Sequence, residues 1–138
     1  MELNNLPIPP TVNHMYRTLP NYRRCKTKYL IDFEKDMELW AMVNKQAIYD
    51  LKSSLKEAKY LSLELTMTFT RDKLICHNGK VKVLDISNRI KAIEDAICGL
   101  IGLDDSLIFD VKACKRVGKK VGVTAKITPI DKETIGLT

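Results

Sequence analysis

The sequence has no apolar run near the roughly 18 residues that a membrane span requires, and its start, MELNNLPIPP, lacks the basic flank and apolar core of a secretory signal. Neither a span nor an export signal is therefore expected. Four cysteines, Cys25, Cys76, Cys98 and Cys114, lie far apart with no CxxC pair. That spacing argues against a disulfide scaffold and a zinc ribbon, and points to a cytoplasmic protein with reduced thiols. GxGxxG, GxxxxGK[ST], HExxH and GxSxG are all absent, so no nucleotide cofactor is expected. With only His14 and His77 in the chain, a histidine-based triad is hard to assemble. The aromatic fraction of 7% shows no obvious clustering, which argues against a single-strand binder built on stacking.

What is present is one domain's worth of chain, 138 residues and 15.7 kDa. Hydrophobic residues at 45% beside charged residues at 29% fit a globular core and exclude a wholly disordered protein. The net charge of +6 is unevenly placed. Before Asp32 the only acid is Glu2, while Arg17, Arg23, Arg24, Lys26 and Lys28 crowd one stretch. Lys112 to Ile130 contains no acid but holds Lys112, Lys115, Arg116, Lys119, Lys120 and Lys126. Two readings stand: a polyanion-binding surface, or basic runs that are simply solvated.

Prolines in LPIPPTVNHMY, residues 6–16, predict a strand end or turn. The basic stretch 17–28 has no periodicity and reads as a loop. Phe33, Met37, Trp40, Ala47, Ile48, Leu51, Leu55 and Ala58 recur at helical spacing, predicting one long amphipathic helix capped by Asp32 with Trp40 in the core. YLSLELTMTFT, residues 60–70, alternates apolar and polar residues as a half-buried strand does. Asn78-Gly79 signals a tight hairpin within 71–84. Ile90, Ile93, Ile97, Leu100 and Ile101 mark a second helix that Gly102 ends. Strands are expected over 107–115 and 121–127, joined by a basic hairpin loop at Gly118-Lys119-Lys120, with a loose tail from residue 129. The fold class is α+β: a single domain with a mixed sheet packed by two main helices.

Asp85 precedes the second helix and Asp104-Asp105 follow it. A helix of about 14 residues spans roughly 20 Å, so these acids meet only if the turn after Gly102 brings the chain back. Gathered, they suit Mg²⁺, which takes oxygen ligands and supports phosphodiester cleavage. Lys91, inside the helix and six residues after Asp85, would offset charge on the phosphate. The bland alternative makes Asp85 and Ser87 a helix cap and Asp104-Asp105 a turn.

The string Asp85-Ile-Ser-Asn88-Arg-Ile-Lys91-Ala-Ile-Glu-Asp95-Ala96-Ile97, then Gly102-Leu-Asp104-Asp105-Ser106, resembles the signature of the RusA family of Holliday-junction resolvases, DxDNxxKxxxDAL followed by DD. Pro9-Pro10-Thr11-Val12-Asn13, with Tyr16 and Arg17 beyond, is similar to that family's opening PPSxN segment. The resemblance implies a RusA-like fold and a Mg²⁺-dependent endodeoxyribonuclease, with Mn²⁺ as an alternative ion. It implies a homodimer that nicks opposing strands of four-way DNA junctions, often encoded by phages or prophages. Carried over, the metal-binding aspartates fall on Asp85 and Asp105, the essential lysine on Lys91, the neighbouring acid on Asp104 and the motif asparagine on Asn88.

Ser87 departs from the pattern, because the family's second aspartate falls there. A hydroxyl carries no charge, so Mg²⁺ should bind more weakly, unless Asp104, Glu64 or the DNA phosphate compensates. A catalytically silent junction-binding protein is the alternative. Within the resemblance, Asn13, Arg17, Arg23, Arg24, Lys26, Lys28, Lys115, Arg116, Lys119 and Lys120 become candidates for DNA contacts that position a duplex without reading it. Lys80 and Lys82, in the Asn78-Gly79 hairpin, belong either to a DNA-contacting flap or to a plain surface turn. The apolar first helix is a candidate dimer interface.

Overall fold

The computed structural model describes residues 2–137. β1 (Glu2–Leu6) leads through a 3-10 turn, Val12–His14, into β2 (Tyr16–Thr18) and β3 (Arg24–Lys26). The helices α1 (Lys28–Val43) and α2 (Lys45–Ser54) follow, then β4 (Leu61–Phe69), the single turn α3 (Arg71–Leu74), a 3-10 turn at Ser87–Arg89, and α4 (Ile90–Ile101). A last 3-10 turn, Asp105–Leu107, precedes β5 (Ile108–Val117) and β6 (Gly122–Pro129). The chain is a single small α+β domain with a mixed sheet, as expected.

The sheet runs β1-β6-β4-β5, with β4 and β5 parallel and the other pairs antiparallel. A parallel pair needs a crossover, and the segment containing α3 and α4 supplies it. On β4 the alternation works as read: Leu61, Leu63, Leu65, Met67 and Phe69 are buried. Phe33, Met37, Leu51, Ile93 and Ile97 from the three long helices join them in one core. Glu64 points to the uncovered face, where its cross-strand neighbours are Lys112 and Lys126. Trp40 is in the core, its indole N–H donating to the Asn4 carbonyl at 2.9 Å.

Four local expectations are corrected. The long helix starts earlier, capped by Thr27, whose hydroxyl accepts from the Leu30 amide at 3.3 Å, rather than by Asp32. It also breaks at Asn44, whose side-chain amide donates to the Trp40 carbonyl at 2.8 Å and ends the first segment. The basic stretch read as a loop is a two-stranded antiparallel ribbon, β2 with β3. The Asn78-Gly79 turn does close a short hairpin, as expected: Ile75 bridges Val81, the Cys76 amide donates to the Lys80 carbonyl and the Lys82 amide to the Leu74 carbonyl, each at 2.7 Å.

The expected hairpin at residues 118–120 is the fourth correction, because β5 and β6 do not pair: β4 lies between them. The connection crosses the end of β4, where the Gly118 amide donates to the Phe69 carbonyl at 2.9 Å. A Cβ on Gly118 would fall 2.6 Å from the Thr68 methyl, so the crossing needs glycine there. Beyond Pro129 the chain is turned. The Ile130 amide donates to the Tyr60 carbonyl at 2.9 Å, and Asp131 accepts from the Thr134 amide at 2.8 Å.

Candidate active site

The segment carrying the acidic motif is held from two sides. Arg89, in the 3-10 turn before α4, donates from Nη1 to the Pro9 carbonyl at 2.7 Å, and its guanidinium lies 6.0 Å above the Phe69 ring. Burial lowers its pKa. This contact fastens the Pro9-Pro10 segment to the start of the motif helix, and the turn at Val12–His14 packs against Ser87–Arg89. On the other side Lys115 of β5 donates from Nζ to the Leu84 carbonyl at 2.9 Å, anchoring the residue before Asp85. The Asn88 side-chain oxygen and Arg89 Nε are buried without a hydrogen-bond partner.

α4 buries Ala92, Ile93, Ile97 and Ile101 and leaves Lys91 and Asp95 exposed, one turn apart. Gly102 ends it in the left-handed conformation, φ +63°, with the Leu103 amide donating to the Cys98 carbonyl at 2.9 Å. The chain then doubles back along the helix. Asp104 caps the next turn, its carboxylate accepting from the Ser106 amide at 2.9 Å, which lowers its pKa. Asp105 is thereby carried back to Lys91, whose Nζ lies 3.5 Å from Asp105 Oδ2 and 2.9 Å from Asp95 Oδ1.

The two ion pairs, Asp95 foremost, raise the Lys91 pKa, so the side chain is a cation throughout the neutral range. Burial raises the Glu94 pKa, with Asp95 and Asp105 adding to it. Burial likewise pushes the Cys98 thiol up to about 11. Cys98 lines the same depression as Asp95, Asp104 and Asp105, but its soft sulfur does not suit hard ions such as Mg²⁺ and Mn²⁺. The donors on offer are oxygens, the preference of Mg²⁺ and Mn²⁺.

Of the candidate site residues, the structure brings Lys91 and Asp105 into contact, with Asp104 adjoining. Asp85 and Ser87 are exposed, and no side-chain bond joins them to the Lys91 cluster. Among the described residues no three carboxylates, histidines or cysteines gather closely enough to hold a metal ion. Glu64 lies on the sheet face that the helices leave open. Asp95 is a site residue that sequence reasoning passed over, although its spacing from Lys91, four residues, is the helical ion-pair signature. Arg89 and the anchoring role of Lys115 carried no comparable signal, since their partners are remote in sequence.

The candidate DNA contacts fall into separate groups. Arg17, Arg23, Arg24 and Lys26 lie exposed on the β2–β3 ribbon, and Lys28 opens α1. Lys26 pairs with Glu34 at 2.9 Å, which raises its pKa, and Arg17 Nε donates to Cys25 Sγ at 3.2 Å. Asn13 is exposed on the turn that packs against the motif. Lys80 and Lys82 belong to the Asn78-Gly79 turn, where the Lys82 ammonium donates to the Asp72 carbonyl. Arg116, Lys119 and Lys120 are exposed at the end of β5 and on the crossing to β6. No described helix is long and apolar enough to cross a membrane.

A search of the curated proteins found no match to the chain. The family model for endodeoxyribonuclease RusA matches residues 7–128, a stretch that starts before the Pro9-Pro10 segment, contains the whole acidic motif and ends in β6. That match covers most of the 138 residues. The chain belongs to the RusA family of endodeoxyribonucleases.

Proposed function

We propose that this protein resolves four-way DNA junctions by Mg²⁺-dependent hydrolysis of phosphodiester bonds, as a homodimer making paired symmetric nicks. The observation that carries the reading is the Lys91 ammonium held between the carboxylates of Asp95 and Asp105 at the rim of a site whose free donors are oxygens. Asp85 and Asp105 would hold the ion, with Asp104 and the Ser87 hydroxyl beside them. Mg²⁺ is commonly bound by one or two carboxylates, with waters and substrate phosphate completing its shell. Two carboxylates, Asp85 and Asp105, therefore suffice for an ion whose shell the DNA completes. When bound, such an ion supplies Lewis acidity at the phosphate and lowers the pKa of a water.

Lys91 contributes a fixed positive charge where negative charge grows on the phosphate oxygens. Its two ion pairs restrict the long side chain to one region. Arg89 and Lys115 hold the segment on either side of the motif, so Asp85 and the Pro9-Asn13 segment keep their places relative to α4. Exposed ribbon cations provide phosphate contacts, which position a duplex without reading its bases. Two-fold symmetry in a homodimer matches a substrate that needs two opposed incisions.

A second reading, a junction-binding protein with weak or silent chemistry, is favoured by Ser87, an uncharged hydroxyl where the family's pattern has an aspartate. Competition among a four-way junction, a linear duplex and single strands tests both, with mapping of any nicks and the mass of the free protein by light scattering. A dimer that prefers the junction and nicks it symmetrically supports the first reading. Preference without nicks supports the second, and equal affinity for all three DNAs overturns both.

A further inference from the structure

Away from the acids, the β2–β3 ribbon carries a feature the chemistry does not use. Its turn closes with the Leu19 amide donating to the Arg23 carbonyl at 2.7 Å and the Tyr22 amide donating to the Leu19 carbonyl at 2.9 Å. Asn21 Oδ1 accepts from the Arg23 amide at 3.1 Å and braces it. Tyr22 sits in this turn at φ +63°, a left-handed conformation that a bulky side chain seldom takes. Its ring is 90% exposed. An aromatic residue there gains no burial and costs backbone strain that glycine would avoid. The fold does not account for it.

The surroundings have the composition of a nucleic-acid surface. Arg17, Arg23, Arg24 and Lys26 line the ribbon, and the Arg24 guanidinium stacks 4.9 Å over the Tyr16 ring. Tyr29 is 66% exposed and lies 5.5 Å from the His14 ring. The low aromatic content of the chain therefore conceals a cluster: three exposed tyrosines share one short basic segment. The ribbon also adjoins the acidic site, because a cleft lined by Met15, Tyr16, Glu34, Ala92 and Asp95 connects the two.

We propose that Tyr22 stacks on a DNA base exposed where the duplex stack is interrupted, while the ribbon's cations neutralise the flanking phosphates. The inference rests on the junction-nuclease reading and names the contact that would distinguish a branch from a duplex. Every base has a π-face, so such stacking is tolerant of sequence. In an intact linear duplex those faces are covered by neighbouring pairs, whereas a branch point offers them. Electrostatic contacts alone would hold both DNAs alike.

The test compares the full-length protein with Tyr22→Phe, Tyr22→Gly and Tyr22→Ala on a four-way junction and a linear duplex at fixed salt. Glycine suits the left-handed turn, so loss in that variant reflects the missing ring and not a failed fold. Tyr22→Phe should bind like the parent. Tyr22→Gly and Tyr22→Ala should lose about ten- to hundredfold in junction affinity, the range of one base stack, with duplex affinity unchanged. A junction carrying 5-iodouracil at the branch point should photocrosslink to Tyr22, and one carrying it within an arm should not. Parental junction affinity in Tyr22→Gly, or crosslinking that misses Tyr22, overturns the inference while leaving the nuclease reading intact. A parent protein that prefers no junction overturns both.

Discussion

Lys91 stands in the first turn of α4 and Asp105 lies beyond that helix's C-terminus, yet Nζ and Oδ2 are 3.5 Å apart. Two local features bring this about. Gly102 reverses the chain in a left-handed cap, and Asp104 caps the turn that follows. Asp95 then shares the same ammonium at 2.9 Å. The strand-helix-strand crossover that lets β4 and β5 run parallel thus also places the motif lysine against the acid that follows its helix.

Replacing Lys91 by alanine should separate chemistry from stability. Its ion pairs are solvent-exposed, and such pairs contribute within about 1 kcal/mol. Loss of one preorganised charge at a reacting phosphate costs about 10²- to 10³-fold in rate. Junction cleavage should fall by that factor while the melting temperature and junction affinity barely change. A matching loss of stability would make Lys91 a structural residue.

The serine at position 87 makes a second prediction. Ser87→Asp adds a carboxylate to a site short of charge, and ligand charge count sets divalent-ion affinity. The Mg²⁺ concentration that half-saturates cleavage should drop roughly tenfold. An unchanged requirement would show that residue 87 lies outside the ion's reach.

Ile93 is fully buried on the core-facing side of α4. Ile93→Ala should destabilise the protein by about 2–5 kcal/mol through lost burial and a residual cavity. Chemical denaturation measures it directly. A cost below about 1 kcal/mol would mean that α4 is not seated in the core as described.

Cys98 offers a check on the depression beside Asp95 and Asp105. Its folded-state thiol pKa is raised to about 11, so the thiolate is scarce at neutral pH and grows about tenfold per pH unit up to that value. Alkylation by iodoacetamide at pH 8, followed by mass spectrometry, should modify the less buried Cys25 and Cys76 well before Cys98. Early modification of Cys98 would contradict the burial assigned to it.

Much of the fold was legible because its signals are local. The alternation from Leu61 to Phe69 gave β4, and the isoleucines before Gly102 gave α4. The ribbon escaped because Tyr16–Thr18 and Arg24–Lys26 are too short and exposed for periodicity to register. The break at Asn44 escaped because the apolar stripe continues in α2 after the helix ends. The placement of β4 between β5 and β6 is a tertiary choice that no turn signature encodes. At the site, Lys91 and Asp105 were readable from the motif, whereas Asp95 was passed over although its four-residue spacing from Lys91 signals the pair. The Arg89 tether to Pro9 was not, since it joins residues from nearly opposite ends of the chain.

The most direct measurement is the nicking of a synthetic four-way junction with and without Mg²⁺, by the parent protein and by Asp85→Asn. Paired symmetric nicks that require the metal and vanish in the variant are the expected result. Tight junction binding without nicks in Mg²⁺ or Mn²⁺, or nicks that survive Asp85→Asn, would contradict a metal-dependent resolvase built on Asp85, Lys91 and Asp105.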